Sequence, residues 1–70
     1  KLSYIKELKK RLPKMPQADK ECLLFALCRE FENDHNMAVR SSLRQRIEML
    51  KPFVTEEQWK YSKPTGRFEP

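Results

Sequence analysis

Residues 22–28, Cys22-Leu23-Leu24-Phe25-Ala26-Leu27-Cys28, form an uncharged run in a chain that is 36% charged. No other stretch of that length lacks both a charge and a proline. Leu, Ala and Phe dominate it, β-branched residues are absent, and its flanks are charged helix formers, so it reads as helix rather than strand. A helix built on this run is apolar all the way round and needs enclosure on several sides. In 70 residues, a few other helices or a partner chain must supply that enclosure.

Three further helical segments are legible. Residues 3–12 place Tyr4 or Ile5, Leu8 and Leu12 at helical spacing, with Lys6, Glu7, Lys9, Lys10 and Arg11 on the other face and Ser3 as the expected cap. Pro13 and Pro16 end this helix in a short turn. The central helix is expected over 16–33, with Pro16 in its first position and Asp19 and Glu21 near the positive end of its dipole. Asn33-Asp34-His35-Asn36 is a polar turn able to cap the next helix, 36–51, which Pro52 ends. In Val54-Thr55-Glu56-Glu57-Gln58-Trp59, Thr55 and Gln58 have capping-box spacing and Val54 and Trp59 have the spacing of a hydrophobic staple. That predicts a short helix over 56–61. Residues 62–70 read as an extended tail, and Arg67-Phe68-Glu69-Pro70 as either linker or short docking peptide. The expected fold is all-α: a small bundle of three main helices plus a short fourth over residues 1–61, followed by the tail.

The third helix carries the most information about partners. Taking about 100° per residue from Val39, Leu50 falls at about 20°, Leu43 at about 40° and Ile47 at about 80°, one coherent stripe. Arg40, Lys51 and Arg44 follow at about 100°, 120° and 140°, a basic edge diluted by Glu48 at about 180°. Such an edge suits either phosphates or intrahelical ion pairs. Arg46 projects at about −20°, inside the stripe, and Met49 at about −80° widens it. A charge so placed snorkels along the core edge, pairs with a buried carboxylate, or faces a partner.

Other chemistry finds little to work with. His35 is the single histidine and lies in a polar turn without a neighbouring nucleophile; Gly66 is the single glycine, so no phosphate loop exists. A metal site would have to combine Cys22, Cys28 and His35, and the two cysteines lie about 120° apart around one helix. Along the axis they are separated by about 9 Å, beyond disulfide reach. We therefore expect reduced, buried thiols and a nuclear or cytosolic setting. No enzyme activity, cofactor or small-molecule substrate is expected. No stretch approaches the ~18 apolar residues of a membrane helix, so no membrane partner is expected. The chain opens on Lys1 rather than Met, which leads us to expect a piece of a longer protein. Its net charge of +5, from fifteen basic and ten acidic residues, favours acidic partners or serves solubility.

Residues 4–31 resemble the BESS motif of insect chromatin and transcription regulators. The likeness lies in Tyr4-Ile5, Leu8, Leu12, the Lys14-Met15-Pro16 hinge, Lys20, and Leu23, Phe25, Leu27 and Phe31. It implies a short helix, a proline hinge and a second helix acting in protein interaction and self-association. The face it implies includes Leu8, Leu12, Leu23, Phe25, Leu27 and Phe31; read from the residues alone, the same positions are core. Val39, Leu43, Arg46 and Met49 extend the expected partner face onto the third helix. The leading expectation is a protein-interaction module, binding a second copy or another protein, in a nuclear or gene-regulatory protein. The alternative is a small basic helical nucleic-acid-binding domain using Arg40, Arg44, Lys51 and the cluster Lys6, Lys9, Lys10 and Arg11.

Overall fold

The computed structural model describes the backbone of residues 2–64 and the side chains of residues 4–64. Four α-helices run in order: α1 Leu2–Arg11, α2 Gln17–Asn33, α3 Met37–Leu50 and α4 Glu56–Ser62. No strand occurs among the described residues, so the fold is all-α. The radius of gyration, 11.7 Å, is close to the ~11 Å of a compact domain of this length.

The breaks follow the prolines, with one refinement. Pro13 and Pro52 each sit inside a single 3-10 turn, Leu12–Lys14 and Lys51–Phe53, that tightens the chain after α1 and α3. Pro16 is the residue before α2 rather than its first residue. Ser3, expected as a cap, lies within α1, which begins at Leu2. Asn36 caps α3: its Oδ1 accepts from the backbone N–H of Ala38 at 2.9 Å and of Val39 at 3.2 Å. Thr55 caps α4, its Oγ1 accepting from the Gln58 N–H at 3.1 Å. The returning arm of the capping box is not made, because the Gln58 side chain points along the helix and donates to Ser62 Oγ at 3.1 Å.

Leu8, Leu12, Leu24, Leu27, Cys28, Phe31, Leu43, Ile47, Leu50 and Trp59 form one core, with Met15, Leu23, Met49, Phe53 and Val54 packed against it. The backbones of α2 and α3 approach most closely and α4 lies against α2, whereas α1 stands further off. Leu8 and Leu12 hold α1 to the core. The turn at Lys51–Phe53 folds back over the start of α2: Gln17 Nε2 donates to the Phe53 carbonyl at 2.8 Å. The Lys20 ammonium lies over the Phe53 ring, 4.9 Å from its centre. Lys20 is thus a buried lysine whose stem extends the core stripe of α2.

Two expectations need correction. The run at 22–28 is not enclosed all round. Leu24, Leu27 and Cys28 are buried and Leu23 is half-buried, but Cys22, Phe25 and Ala26 are exposed. Cys22 points about 160° away from Leu24, off the core side of α2. So only Cys28 is a buried thiol; both cysteines are unpaired. Residue 62 also does not begin a tail, since Ser62 ends α4 and Ser62 and Pro64 are buried. Residues 65–70, including the linker or docking peptide read at 67–70, lie outside the described residues.

Candidate functional site

α3 presents two adjacent faces. Leu43, Ile47 and Leu50 point into the core. On the wheel that starts at Val39, Ala38, Ser42, Gln45 and Arg46 lie on the other side, at about −100°, −60°, −120° and −20°. Tyr4 and Ile5 of α1 stand opposite them. Because α1 is held off by Leu8 and Leu12 and residues 38, 41 and 42 are small, the two first turns do not close on each other. A groove of about 660 Å³ remains, lined by Tyr4, Ile5, Ala38, Val39, Ser41, Ser42, Gln45 and Arg46. Val39, expected within the core stripe, is 40% exposed, and Tyr4 is 53% exposed. Val39 lies in the turn of α3 that faces this gap, so it is only partly covered.

Arg46 snorkels, as one of its three options had it. Its guanidinium lies over the Tyr4 ring, 5.1 Å from the centre. Nη2 donates to Ser42 Oγ at 2.9 Å. Nε is buried and has no hydrogen-bond partner. Among the described residues no carboxylate pairs with Arg46.

The other expected partner residues fall into two groups. Leu8, Leu12, Leu27, Phe31 and Leu43 are buried in the core, with Leu23 and Met49 half-buried against it. These seven fill the chain's own interior. Phe25 is 37% exposed and stacks on Tyr61, with ring centres 5.8 Å apart. This second apolar surface joins α2 to α4, away from Arg46 and Val39.

The basic edge of α3 is held within the molecule. Arg40 Nη1 donates to the Phe31 carbonyl at 2.7 Å and the Asp34 carbonyl at 3.0 Å, and its guanidinium lies 4.0 Å from the Phe31 ring centre. It thereby satisfies acceptors at the end of α2. Arg44 pairs with Glu48 at 3.2 Å, and the Lys51 ammonium lies 4.8 Å from the Trp59 ring centre. Arg29, which the sequence did not single out, does for α4 what Arg40 does for α2. Its Nη2 donates to the carbonyls of Ser62 at 2.6 Å and Lys63 at 3.3 Å, and it pairs with Glu32 at 3.4 Å. Lys6, Lys9, Lys10 and Arg11 remain exposed along α1, without an ion pair among the described residues.

Burial pushes the Cys28 thiol up to about 11; the neighbouring Arg29 charge opposes this and the Glu32 carboxylate adds to it. The thiol is therefore a protonated core group at neutral pH. His35 is exposed in the turn before α3. No three His, Cys, Asp or Glu side chains converge on a metal position among the described residues. No helix there is long and apolar enough to cross a membrane.

Of the groove residues the sequence assigned only Val39 and Arg46 to a site; Ala38, Ser41, Ser42 and Gln45 of α3 and Tyr4 and Ile5 of α1 were not assigned. The signal for the two α1 residues was the odd placement of Arg46, which needed a neighbour on α1. Comparison with protein-family models, curated proteins and solved structures finds no match to this chain. What the fold defines is the class: a small all-α helical bundle with an open groove between its first and third helices.

Proposed function

We propose that the chain is a protein–protein interaction module, binding a second copy or another protein, within a nuclear or gene-regulatory protein. The observation that carries this reading is the groove, where Tyr4, Ile5 and Val39 are left open beside a guanidinium that no carboxylate among the described residues pairs with. Apolar surface of this kind, concave and rimmed by polar groups, is where partners dock. The likeness of residues 4–31 to the BESS motif supports the same function, although the accessible residues differ from the face that likeness implies. The two unpaired thiols support a reducing compartment, nucleus or cytoplasm. The reading assigns no catalysis.

The test is sedimentation of the purified chain over a range of concentrations, together with a pull-down from nuclear extract using wild type and Val39→Asp. Self-association, or a defined protein retained by wild type and lost with Val39→Asp, is the expected result. A chain that stays monomeric and retains the same proteins with and without the substitution would sink the reading.

A second reading, nucleic-acid binding, is favoured by one observation: Lys6, Lys9, Lys10 and Arg11 lie exposed on α1 without an ion pair among the described residues. Duplex binding whose affinity falls with salt by a slope of about −0.9 per phosphate neutralised would support it. Arg40, Arg44 and Lys51 already hold partners within the chain, so the contacts would fall on α1.

A further inference from the structure

Arg46 stands apart from the other arginines of α2 and α3 in what it holds. Arg29 has two carbonyls and Glu32, Arg40 has two carbonyls, and Arg44 has Glu48. Arg46 has one hydroxyl and a ring face. Its helical neighbours explain why. Positions three and four away are Leu43, Met49, Ser42 and Leu50, and none is an acid. Glu48 is two residues away, on another side of the helix and paired with Arg44. The groove lining contributes no carboxylate either. A guanidinium offers five N–H donors in a planar fork that matches a carboxylate. Here most of that capacity is unused; its Nε is buried without an acceptor, as is that of Arg29, but Arg29 has carbonyls and Glu32 on its outer edge and Arg46 has neither.

We propose that the groove between α1 and α3 is a docking site for an acidic amphipathic segment of a partner protein. The proposal rests on the interaction-module reading and adds the chemistry of the occupant. A carboxylate of that segment takes the outer edge of Arg46. A bulky apolar side chain one helical turn away sits between Tyr4, Ile5 and Val39, over the small side chains of Ala38 and Ser42. The volume, about 660 Å³, lies within the roughly 300–1,000 Å³ typical of binding pockets. It has room for two or three side chains, which suits an amphipathic helix laid into a groove. Charge complementarity selects the acidic partner: the chain carries +5 and the groove holds a cation with no counter-charge among the described residues. The Phe25–Tyr61 surface lacks such a cation, because Arg29 beside it is held by Ser62, Lys63 and Glu32.

The experiment selects binders to the immobilised full chain from a displayed random peptide library, then synthesises the strongest peptide. Selected peptides are expected to be rich in Asp or Glu within one turn of Leu, Ile, Phe or Trp. The synthetic peptide should shift the amide resonances of Ile5, Val39 and Ser42. Arg46→Gln should weaken it by about tenfold or more, as should replacing the peptide's carboxylate by its amide. The two changes together should cost little more than either alone, because they remove one contact. The peptide-side exchange needs no altered protein, so it holds even where Arg46→Gln disturbs folding. A peptide that occupies the groove yet is indifferent to both exchanges would overturn the acidic occupant and leave the interaction reading standing. Recovery of no binder, or only of peptides that shift no groove residue, would overturn both.

Discussion

Replacing Arg40 by Met removes a cross-helix cap while keeping an unbranched side chain against the Phe31 ring. Two charge-assisted hydrogen bonds disappear, at 2.7 Å to the Phe31 carbonyl and 3.0 Å to the Asp34 carbonyl. Hydrogen bonds to charged groups are each worth about 1.5–3 kcal/mol. Arg40 is half-buried, so water recovers part of the loss and the expected cost is about 2–4 kcal/mol. A 70-residue chain holds about 3.5–10 kcal/mol in all, so the change removes a large fraction. For a domain of this size each kcal/mol lowers Tm by about 4–8 °C, giving a fall of about 8–30 °C. The internal control is Arg44→Met on the same helix. Its pair with Glu48 is exposed and four residues apart, worth about 0.3–0.5 kcal/mol. Arg40→Lys separates charge from geometry, because a lysine keeps the favourable charge near the end of α2 but not the fork; it should fall between the other two. Urea and thermal melts followed by helical circular dichroism measure all three. Arg40→Met and Arg44→Met agreeing within about 0.5 kcal/mol would show that the guanidinium does not cap α2.

Other outcomes follow from the same structure. Leu24→Ala, at a fully buried core position, should cost about 2–5 kcal/mol; a urea midpoint within error of wild type would contradict the packing described. Thr55→Ala should cost about 1 kcal/mol through loss of the α4 cap, and a ΔΔG near zero would mean that α4 forms without it. A thiol-reactive disulfide should label Cys22 in the folded chain at neutral pH and Cys28 only after denaturant is added; rapid labelling of both would refute the burial of Cys28. The folded chain keeps Cys28 protonated up to about 11, against an ordinary value of 9.0, so the unfolded chain releases this proton first. That contribution to stability is intact below pH 9.0 and declines as pH rises to about 11. Wild type should therefore lose stability relative to Cys28→Ala across that window, and parallel pH profiles would argue against it.

How far the sequence could be read depended on whether the signal was local. The helices and their order were legible because prolines, Asn36 and Thr55 act within a few residues of where they stand. Core positions at helical spacing, such as Leu8, Leu43 and Ile47, were legible for the same reason. Direction around a helix was therefore readable, but whether a neighbour exists in that direction was not. Val39 shares the stripe of Leu43 and Leu50, yet it faces the gap left by α1. Cys22, Phe25 and Ala26 belong to the most apolar run in the chain, yet they stay exposed, and Phe25 meets only the exposed Tyr61 ring of α4. Lys20 is the converse, a charged residue drawn under cover because Phe53, thirty-three positions later, offers its ring to the ammonium. The site followed the same rule: Arg46 stood out as misplaced, but that Tyr4 would lie beneath it needed the packing of α1.

The arginines show why net charge alone does not say which cations are open to solvent. Many helices end on a glycine in the left-handed conformation, which lets the last carbonyls find backbone partners. This chain has one glycine, Gly66, and it follows every helix described here. The residues that close α2 and α4, Asp34 and Lys63, leave the helix at negative φ, −95° and −53°. Carbonyls at both ends are therefore left to side chains from elsewhere in the fold, and Arg40 and Arg29 supply them. Part of the basic excess is consequently architectural, a substitute for glycine at helix ends, with its donors already engaged by backbone carbonyls inside the molecule. What remains to attract a partner is more narrowly placed: the lysines of α1, which can meet any anion, and Arg46, whose ring contact and apolar surroundings set a shape as well as a charge. Of these two, Arg46 is the one that could discriminate between partners, because an exposed lysine reads charge alone while a half-buried guanidinium also reads geometry.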